Sequence, residues 1–248
     1  MDVSRALQHP TRDPAFVQKL AVTSLVGMVP ILNFALYGYA LEHSKSVMEG
    51  RDSILPTWDD IGAKFQRGLL LVLAQMAYLA PVFLIYGCFF IFIIGGAGLA
   101  GAANTRQQER DIAALLSVGS IAIMCVAGLV ALVLSLLTPG VYRQFFIHGT
   151  FASCFRFSEV LAYTRRRIGD IVLAWLALGA IGVVVGLGSM VLSFVPCLGT
   201  LAVLALSFAV TGYLIVVHAH LMGQMLLKDS QALAPAPMPP VPPATIGG

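Results

Sequence analysis

The sequence predicts an all-α integral membrane protein: a helical bundle with four full spans, an N-terminal helical hairpin and a parallel internal repeat. Composition gives the class, because the chain is 58% hydrophobic and only 11% charged, where a soluble domain carries about 25% charged residues. Its mean hydropathy is +0.87. Charged residues are absent from four windows: 20–41, 68–105, 112–142 and 171–227. The windows do not alternate apolar with polar residues as barrel strands do, so helices are the expected spanning structure.

The longer windows define the individual spans. A helix needs roughly 20 apolar residues to cross the hydrocarbon core of a bilayer. Two windows therefore predict spans 68–94 and 111–138. The last window is long enough for two helices, and it predicts spans 170–195 and 197–227 with a turn at Pro196.

The first window is interrupted by Pro30, and two arrangements fit residues 14–48. One is a single kinked span. The other is a helical hairpin that turns at Val29-Pro30 and leaves the membrane on the side it entered. Cytoplasmic flanks of membrane spans collect Lys and Arg. In the hairpin arrangement only Arg106 and Arg110 lie outside, so the charge distribution favours the hairpin and places both termini in the cytoplasm.

The two ends of the chain differ from the membrane domain, which is predicted as one unit over residues 14–229. Residues 1–13 form a polar arm that we expect to be loosely ordered at the membrane surface. Asp13 is a candidate cap for the helix that follows it. Residues 230–248 are rich in proline and predict a disordered cytoplasmic tail.

Residues 57–67 predict a short helix that rests in the membrane interface. Thr57 is suited to cap this helix, and carboxylates favour its positive N-terminal end. The predicted interface anchor is the set Trp58, Asp59, Asp60 and Phe65. Asp59 and Asp60 do not suggest a catalytic pair, because adjacent residues on a helix point in different directions.

A similar polar segment occurs a second time, about a hundred residues later. Ser158, Arg165 and Gly169 correspond in spacing to Thr57, Lys64 and Gly68. Both segments precede a span, which indicates two units in the same orientation, a parallel repeat. The second segment also contains Arg165-Arg166-Arg167, whose expected role is to set topology and contact anionic lipid head groups.

Small residues recur at helical spacing in the last two spans. Gly182 and Gly186 belong to one stripe, and Ala205 and Ala209 belong to another. Small residues let membrane helices approach closely. The sequence therefore predicts that these stripes face each other in an antiparallel pair.

Few residues suggest chemistry. Ser189 and His218 lie too far apart along an antiparallel pair to act as nucleophile and base. His218-Ala219-His220 does not suggest a metal pair, because positions i and i+2 diverge on a helix. No nucleotide-binding loop or basic nucleic-acid arm occurs, and we expect no cofactor, no metal and no nucleic acid. Polar residues within membrane depth point to function, and the predicted polar lining is Asn33, Gln75, Tyr78 and His218.

Several of these segments resemble one known family. The matching residues run from Gly27 through Val29-Pro30-Ile31-Leu32-Asn33 and Gly38-Tyr39 to Leu55-Pro56-Thr57-Trp58-Asp59-Asp60 and Gly68, with Phe155-Arg156-Phe157-Ser158-Glu159 further on. The pattern is similar to a family of prokaryotic membrane proteins catalogued as domain of unknown function four thousand and thirteen. Asn33 stands where that family often has glycine. The resemblance implies a polytopic helical protein of the prokaryotic cytoplasmic membrane and transfers no functional residue.

Three classes of function remain from the sequence, and the third is an enzyme that acts on lipid. The first is a non-enzymatic scaffold or accessory subunit, with the lipid bilayer and a membrane protein or second copy as its partners. The second is a small transporter or lipid-handling protein, because broken helices and repeats are typical of transporters. An interior cavity with polar lining would favour the second class, and a fully packed bundle with an exposed small-residue face would favour the first.

Overall fold

A computed structural model describes residues 1–51, 55–195 and 198–233. Within them the chain folds into eight α-helices and no strand. The helices are α1 (Val3–Gln8), α2 (Phe16–Met28), α3 (Phe34–Met48), α4 (Ile61–Gly101), α5 (Arg106–Ser135), α6 (Thr138–His148), α7 (Phe157–Leu192) and α8 (Leu198–Leu233). Short 3-10 helices cover His9–Arg12 and Phe151–Phe155. The predicted turn at Pro196 and most of the predicted tail, residues 234–248, lie outside the described residues.

Four stretches of helix are long and apolar enough to cross a membrane: α4, α5 together with α6, α7 and α8. The protein is therefore a multi-pass helical membrane protein, as the sequence predicts. Helices suit this setting because each satisfies its own backbone hydrogen bonds where no water is available.

The buried core occupies one half of the molecule, which we call the packed half. Buried residues of α4 end at Val82, and those of α7 end at Ala174. On α8 nearly all of them lie beyond Thr211. Outside these limits α4 and α5 pack on each other, and Gly96 lies against Leu116. In the described part of the chain the backbones of α4 and α5 stay apart from those of α7 and α8. The side-chain contacts between them, such as that of Tyr78 with Phe157, lie in the packed half.

Helices α2 and α3 form the predicted hairpin. An added Cβ at Gly27 would lie 3.3 Å from Leu36 Cδ1, so the helices fold back on each other after the break at residues 29–33. They then diverge, and Trp58 lies between them. Its ring stacks on Tyr39 at 4.6 Å, and its indole Nε1 donates a hydrogen bond to Thr23 Oγ1 at 3.2 Å.

The chain near Leu55 is fixed by two charged residues at the start of α2. Asp13 Oδ2 accepts a hydrogen bond from the Leu55 N–H at 2.7 Å, and Lys19 Nζ donates one to the Leu55 carbonyl at 2.6 Å. Asp13 and Lys19 also form an ion pair at 2.8 Å. Asp13 therefore holds the connection between α3 and α4 as well as the turn before its own helix, where it accepts from Ala15 N–H.

The predicted interface helix 57–67 is not a separate element. Helix α4 begins at Ile61 and continues without a break to Gly101. Asp60 caps it in place of Thr57: its φ is +52°, and its side chain accepts a hydrogen bond from Ala63 N–H. Thr57 cannot cap the helix because Trp58 stacks on Tyr39 and bonds to Thr23. These two contacts hold residues 57 and 58 outside the helix.

The internal repeat appears as one helix crossing that occurs twice. In the first copy a Cβ on Gly38 would overlap the Lys64 carbonyl, and a Cβ on Gly68 would overlap the Phe34 carbonyl. The second copy, between α6 and α7, has the same pattern. A Cβ on Gly140 would lie 2.9 Å from the Val160 carbonyl oxygen, and Thr164 Oγ1 is 3.5 Å from the Leu136 carbonyl oxygen.

The register of the repeat differs from the one predicted. Thr164 occupies the place of Gly68, whereas the sequence pairing assigned that place to Gly169. An added Cβ at Gly169 meets no atom within 4 Å. The predicted pairing was wrong because it assumed equal connections, whereas the connection between α6 and α7 is shorter than that between α3 and α4.

The N-terminal arm is folded rather than loosely ordered. Asp2 caps α1 by accepting from Arg5 N–H, and Ala6 and His9 are almost completely buried. The arm packs along α8, where Tyr213 Oη donates to the Leu7 carbonyl at 2.7 Å. The prediction of a loosely ordered arm was wrong because one face of this short polar segment, which includes Ala6 and His9, is buried against the helices.

The predicted pairing of small-residue stripes is also wrong. Gly182 and Gly186 are exposed, and a Cβ added to either meets no atom within 4 Å. Ala205 and Ala209 are exposed as well. Helices α7 and α8 instead pack through side chains of the packed half, including Ala174, Val217 and Leu221.

Candidate functional site

A concave chamber of about 420 Å³ lies between α3, α4, α6, α7 and α8. Its walls are mostly apolar. They comprise Leu36, Tyr37, Ala40, Gln75, Thr138, Pro139, Tyr142, Trp175, Leu178, Thr211, Leu214, Ile215, His218 and Met222. The volume falls in the range of about 300–1,000 Å³ that is typical of small-molecule sites.

The chamber lies at the edge of the packed half. Trp175 follows Ala174, the last buried residue of α7, and Thr211 precedes Gly212, with which the buried part of α8 resumes. The chamber is thus at the point where α7 and α8 leave the core and where the α4–α5 pair begins to separate from them. Apolar walls at this point suit a hydrophobic ligand.

Two of the predicted polar lining residues, Gln75 and His218, line the chamber. They approach it from different helices, α4 and α8. The other polar groups of the wall are the indole N–H of Trp175 and the hydroxyls of Tyr37, Thr138, Tyr142 and Thr211. A ligand there would meet an apolar surface with a few hydrogen-bonding groups, which is the composition of most small-molecule sites.

The hydroxyl of Tyr142 is already engaged. It lies 2.8 Å from Ser44 Oγ, which donates a hydrogen bond to the Ala219 carbonyl at 2.7 Å. This chain of bonds joins α6, α3 and α8 beside the chamber. Tyr142 therefore fixes one wall, and Gln75 and His218 remain the candidates to contact a ligand.

The other two predicted lining residues lie elsewhere. Asn33 is exposed at the start of α3. Tyr78 is buried and donates a hydrogen bond to the Cys154 carbonyl at 2.7 Å. That bond connects α4 to the 3-10 helix that precedes α7.

The predicted anchor residues divide into two groups. Trp58 and Phe65 face the helices: Trp58 stacks on Tyr39, and Phe65 meets the edge of the Phe34 ring at 5.9 Å. Asp59 and Asp60 are exposed and line a second concavity of about 730 Å³ between α3, α4 and α6. This second concavity is rich in charged groups of both signs, and its Lys64 is paired with Glu42 at 2.7 Å.

A cluster of charges fixes the end of α8. The buried carboxylate of Asp229 accepts hydrogen bonds from Arg143 Nε at 2.7 Å and Arg166 at 3.3 Å. Asp170 pairs with Lys228 at 3.1 Å and with the N-terminal amine at 3.7 Å. The basic cluster predicted as a topology signal thus also holds α6, α7 and α8 together.

Three histidines meet in the packed half. His9, His43 and His220 come from the N-terminal 3-10 helix, α3 and α8, and each is at most 1% exposed. Their ring centroids are 4.5–5.8 Å apart. One nitrogen from each ring lies within 4.8 Å of the other two, so these residues could hold a metal ion.

Sequence reasoning missed this cluster. It considered only His218 with His220, and α8 directs these two side chains to the chamber and to the cluster respectively. His9 and His43 carry no local signal, because their partners lie far away in the chain.

The sequence model of a family described as "Protein of unknown function (DUF4013)" matches residues 22–194. That range includes α3, α4, α6 and α7, which carry both copies of the helix crossing. No curated protein and no solved structure matches the chain.

Proposed function

For this chain, which belongs to the family of proteins of unknown function DUF4013, we propose a lipid-handling role: non-enzymatic binding of an apolar or amphiphilic molecule inside the membrane. The chamber of about 420 Å³ carries the proposal. Its apolar walls would accept a hydrocarbon portion. Gln75 and His218 would contact a polar group of the same ligand.

The position of the chamber supports a ligand drawn from the bilayer. Segment 83–101 of α4 and segment 175–192 of α7 extend from the packed half with exposed apolar side chains such as Phe90 and Val184. Each segment is about 27 Å long at 1.5 Å per residue, close to the thickness of the hydrocarbon core. A molecule between the two helix pairs would reach the chamber without crossing water.

The test is purification in a mild detergent followed by mass spectrometry of bound lipids. We expect one lipid class to be enriched over the bulk membrane extract. Thr211→Trp would fill the chamber and reduce the bound lipid several-fold. Ala122→Trp, at an exposed site on α5, would leave it unchanged. Equal lipid recovery from both variants would refute the proposal.

The polar groups give a second test. Replacing Gln75 or His218 with Leu keeps the chamber apolar and removes one hydrogen-bonding group. We expect these variants to retain lipid and to change the recovered head-group distribution. Ser117→Leu is the control, because Ser117 is exposed and bonds only to its own helix.

A second candidate is a scaffold or accessory subunit of a membrane complex. The exposed stripes favour it, because Gly182 and Gly186 leave open space where another helix could approach closely. The same purification tests it, since a stoichiometric protein partner or a second copy would appear. Gly186→Leu would then abolish association without lowering the stability of the isolated chain.

We also propose that the N-terminus and the end of α8 face the cytoplasm of a prokaryotic cell. The supporting observation is that basic groups gather at the end of α8. Arg143 and Arg166 pair with Asp229, and Lys228 and the Met1 amine pair with Asp170. Arg106 and Arg110 start α5, at the remote turn between α4 and α5. A reporter that is active only in the cytoplasm should therefore be active when it is fused after Leu233, and an inactive fusion would contradict this orientation.

A further inference from the structure

We propose that His9, His43 and His220 form a transition-metal site that fastens the N-terminal arm to the membrane domain. The site would take a first-row ion of the Zn²⁺ class through three imidazole nitrogens. The proposal is independent of the lipid chamber, which His218 lines on the same helix.

Burial is the first argument. The three rings come from distant parts of the chain and are 1%, 0% and 0% exposed. Burying a polar group without a partner is costly. Neither ring nitrogen of His43 has a hydrogen-bond partner in the described part of the chain. A shared metal ion would satisfy His43 and account for the convergence of the three rings.

Geometry is the second argument. One nitrogen per ring lies within 4.8 Å of the other two. A tetrahedral Zn²⁺ with Zn–N distances of about 2.0–2.1 Å holds its nitrogens about 3.4 Å apart. Side-chain rotations that move each nitrogen inward by about 1 Å would therefore close the site.

The donor set indicates the kind of metal. Imidazole nitrogen suits zinc, copper, iron and nickel, whereas calcium and magnesium prefer oxygen. No carboxylate belongs to the cluster among the described residues. Three histidines leave one position of a tetrahedral ion for water or another ligand.

The buried cluster lies beside a concavity of the surface. His220 lines a concavity of about 520 Å³ together with Asp2, Arg5, Gln224 and Lys228. Lys228 is paired with Asp170, which reduces its repulsion of a cation. The concavity offers a route to the fourth coordination position from outside the core.

The site would link three elements at one point. His9 belongs to the arm, whereas His43 and His220 belong to helices of the membrane domain. Ion binding should therefore order the arm, and loss of the ion should loosen it. Arg12 is exposed at the end of the same 3-10 helix and provides a tryptic site that reports this order.

The experiment uses the full chain in detergent, freed of metal with a chelator and titrated with Co²⁺. We expect one Co²⁺ per chain, a visible absorption band typical of nitrogen coordination, and displacement by Zn²⁺. Loss of an outer-shell partner already costs about 10–100-fold in metal affinity. Loss of a ligand, by changing His43 or His220 to Gln, should therefore weaken Co²⁺ binding more than about 100-fold. The control is His148→Gln, an exposed histidine outside the cluster, which should bind like the wild type.

Proteolysis of the wild-type protein tests independently whether metal binding orders the N-terminal arm. One equivalent of Zn²⁺ should slow tryptic cleavage after Arg12 at least several-fold in the wild-type protein. A wild-type chain that binds no Co²⁺ and gains no protection would overturn the proposal. So would binding that persists in both cluster variants. The three histidines would then be a neutral part of the core.

Discussion

Gly38 and Lys64 lie so close that one added carbon on Gly38 would overlap the main-chain carbonyl of Lys64. This contact presses α3 directly onto α4. Gly68 makes the reciprocal contact with Phe34. The crossing forms part of the framework around the chamber, since α3 and α4 both contribute to its walls.

Gly38→Ala should therefore destabilise the protein by about 2 kcal/mol, because overpacking forces backbone shifts. Gly87→Ala is the matched control: Gly87 lies in α4 with open space around it. Alanine there should be neutral or stabilising by up to about 1 kcal/mol, since glycine is a poor helix former. Thermal unfolding in detergent measures both changes, and equal melting temperatures would contradict the close contact.

Asp13 should make stability depend on pH in the acid range. Burial acts to raise the pKa of Asp13, but hydrogen bonds from Lys19 and from the N–H groups of Leu55 and Ala15 outweigh it and hold the pKa below the ordinary value. A carboxylate with a lowered folded-state pKa stabilises the fold above its unfolded pKa of about 3.9. That contribution is lost as pH falls through the folded pKa.

Asp13→Asn should accordingly cost about 1–2 kcal/mol at pH 7, where the charged hydrogen bonds are intact. The difference from the wild type should shrink when unfolding is measured below about pH 4. Glu109→Gln, at an exposed site on α5, should show no such convergence. A constant difference at all pH values would mean that the charge of Asp13 does not matter.

Asp229 should be essential to the packing of α6, α7 and α8. Replacing it with Asn leaves the mostly buried Arg143 without its carboxylate, and breaking such a pair costs roughly 3 kcal/mol. Glu49→Gln breaks the exposed pair with Arg51 and should change stability far less, because water screens surface ion pairs. Denaturation of the two variants side by side measures their free energies of unfolding. A smaller loss of stability for Asp229→Asn than for Glu49→Gln would contradict a structural role for Asp229.

Tyr78 should behave as a structural residue and not as part of the chamber. Tyr78→Phe leaves the Cys154 carbonyl without its donor and should cost about 1–3 kcal/mol. Tyr86→Phe, on the same helix, should change stability by less than about 0.5 kcal/mol. The lipids recovered from Tyr78→Phe should match those of the wild type, and a changed lipid profile would return Tyr78 to the chamber wall.

The helices themselves could be read from the sequence, because charge-free apolar runs have few alternatives in a membrane. The spans of α4, α5, α7 and α8 and the break at Pro30 follow from that constraint. The start of α4 could not be read, since Trp58 is held out of the helix by Tyr39 and Thr23, two contacts between distant parts of the chain.

The sites were only partly accessible to sequence reasoning. Gln75 and His218 were recognised because a polar side chain within an apolar run is itself unusual. The histidine cluster was not recognised, because it depends on the fold of the arm against α8. The two stripes of small residues were wrongly predicted to face each other. Helical spacing shows that small residues share one face of a helix, but it does not show which other helix packs on that face.

The separation of the α4–α5 pair from α7 and α8 makes the molecule sensitive to the thickness of its bilayer. Helices adapt to thicker or thinner membranes by tilting, and each pair can tilt without disturbing the core. Spin labels at Gly98 and Gly188, both in open space, should therefore move relative to each other between short-chain and long-chain lipids. Because the chamber lies where the pairs diverge, its opening should widen or narrow with the thickness of the surrounding membrane.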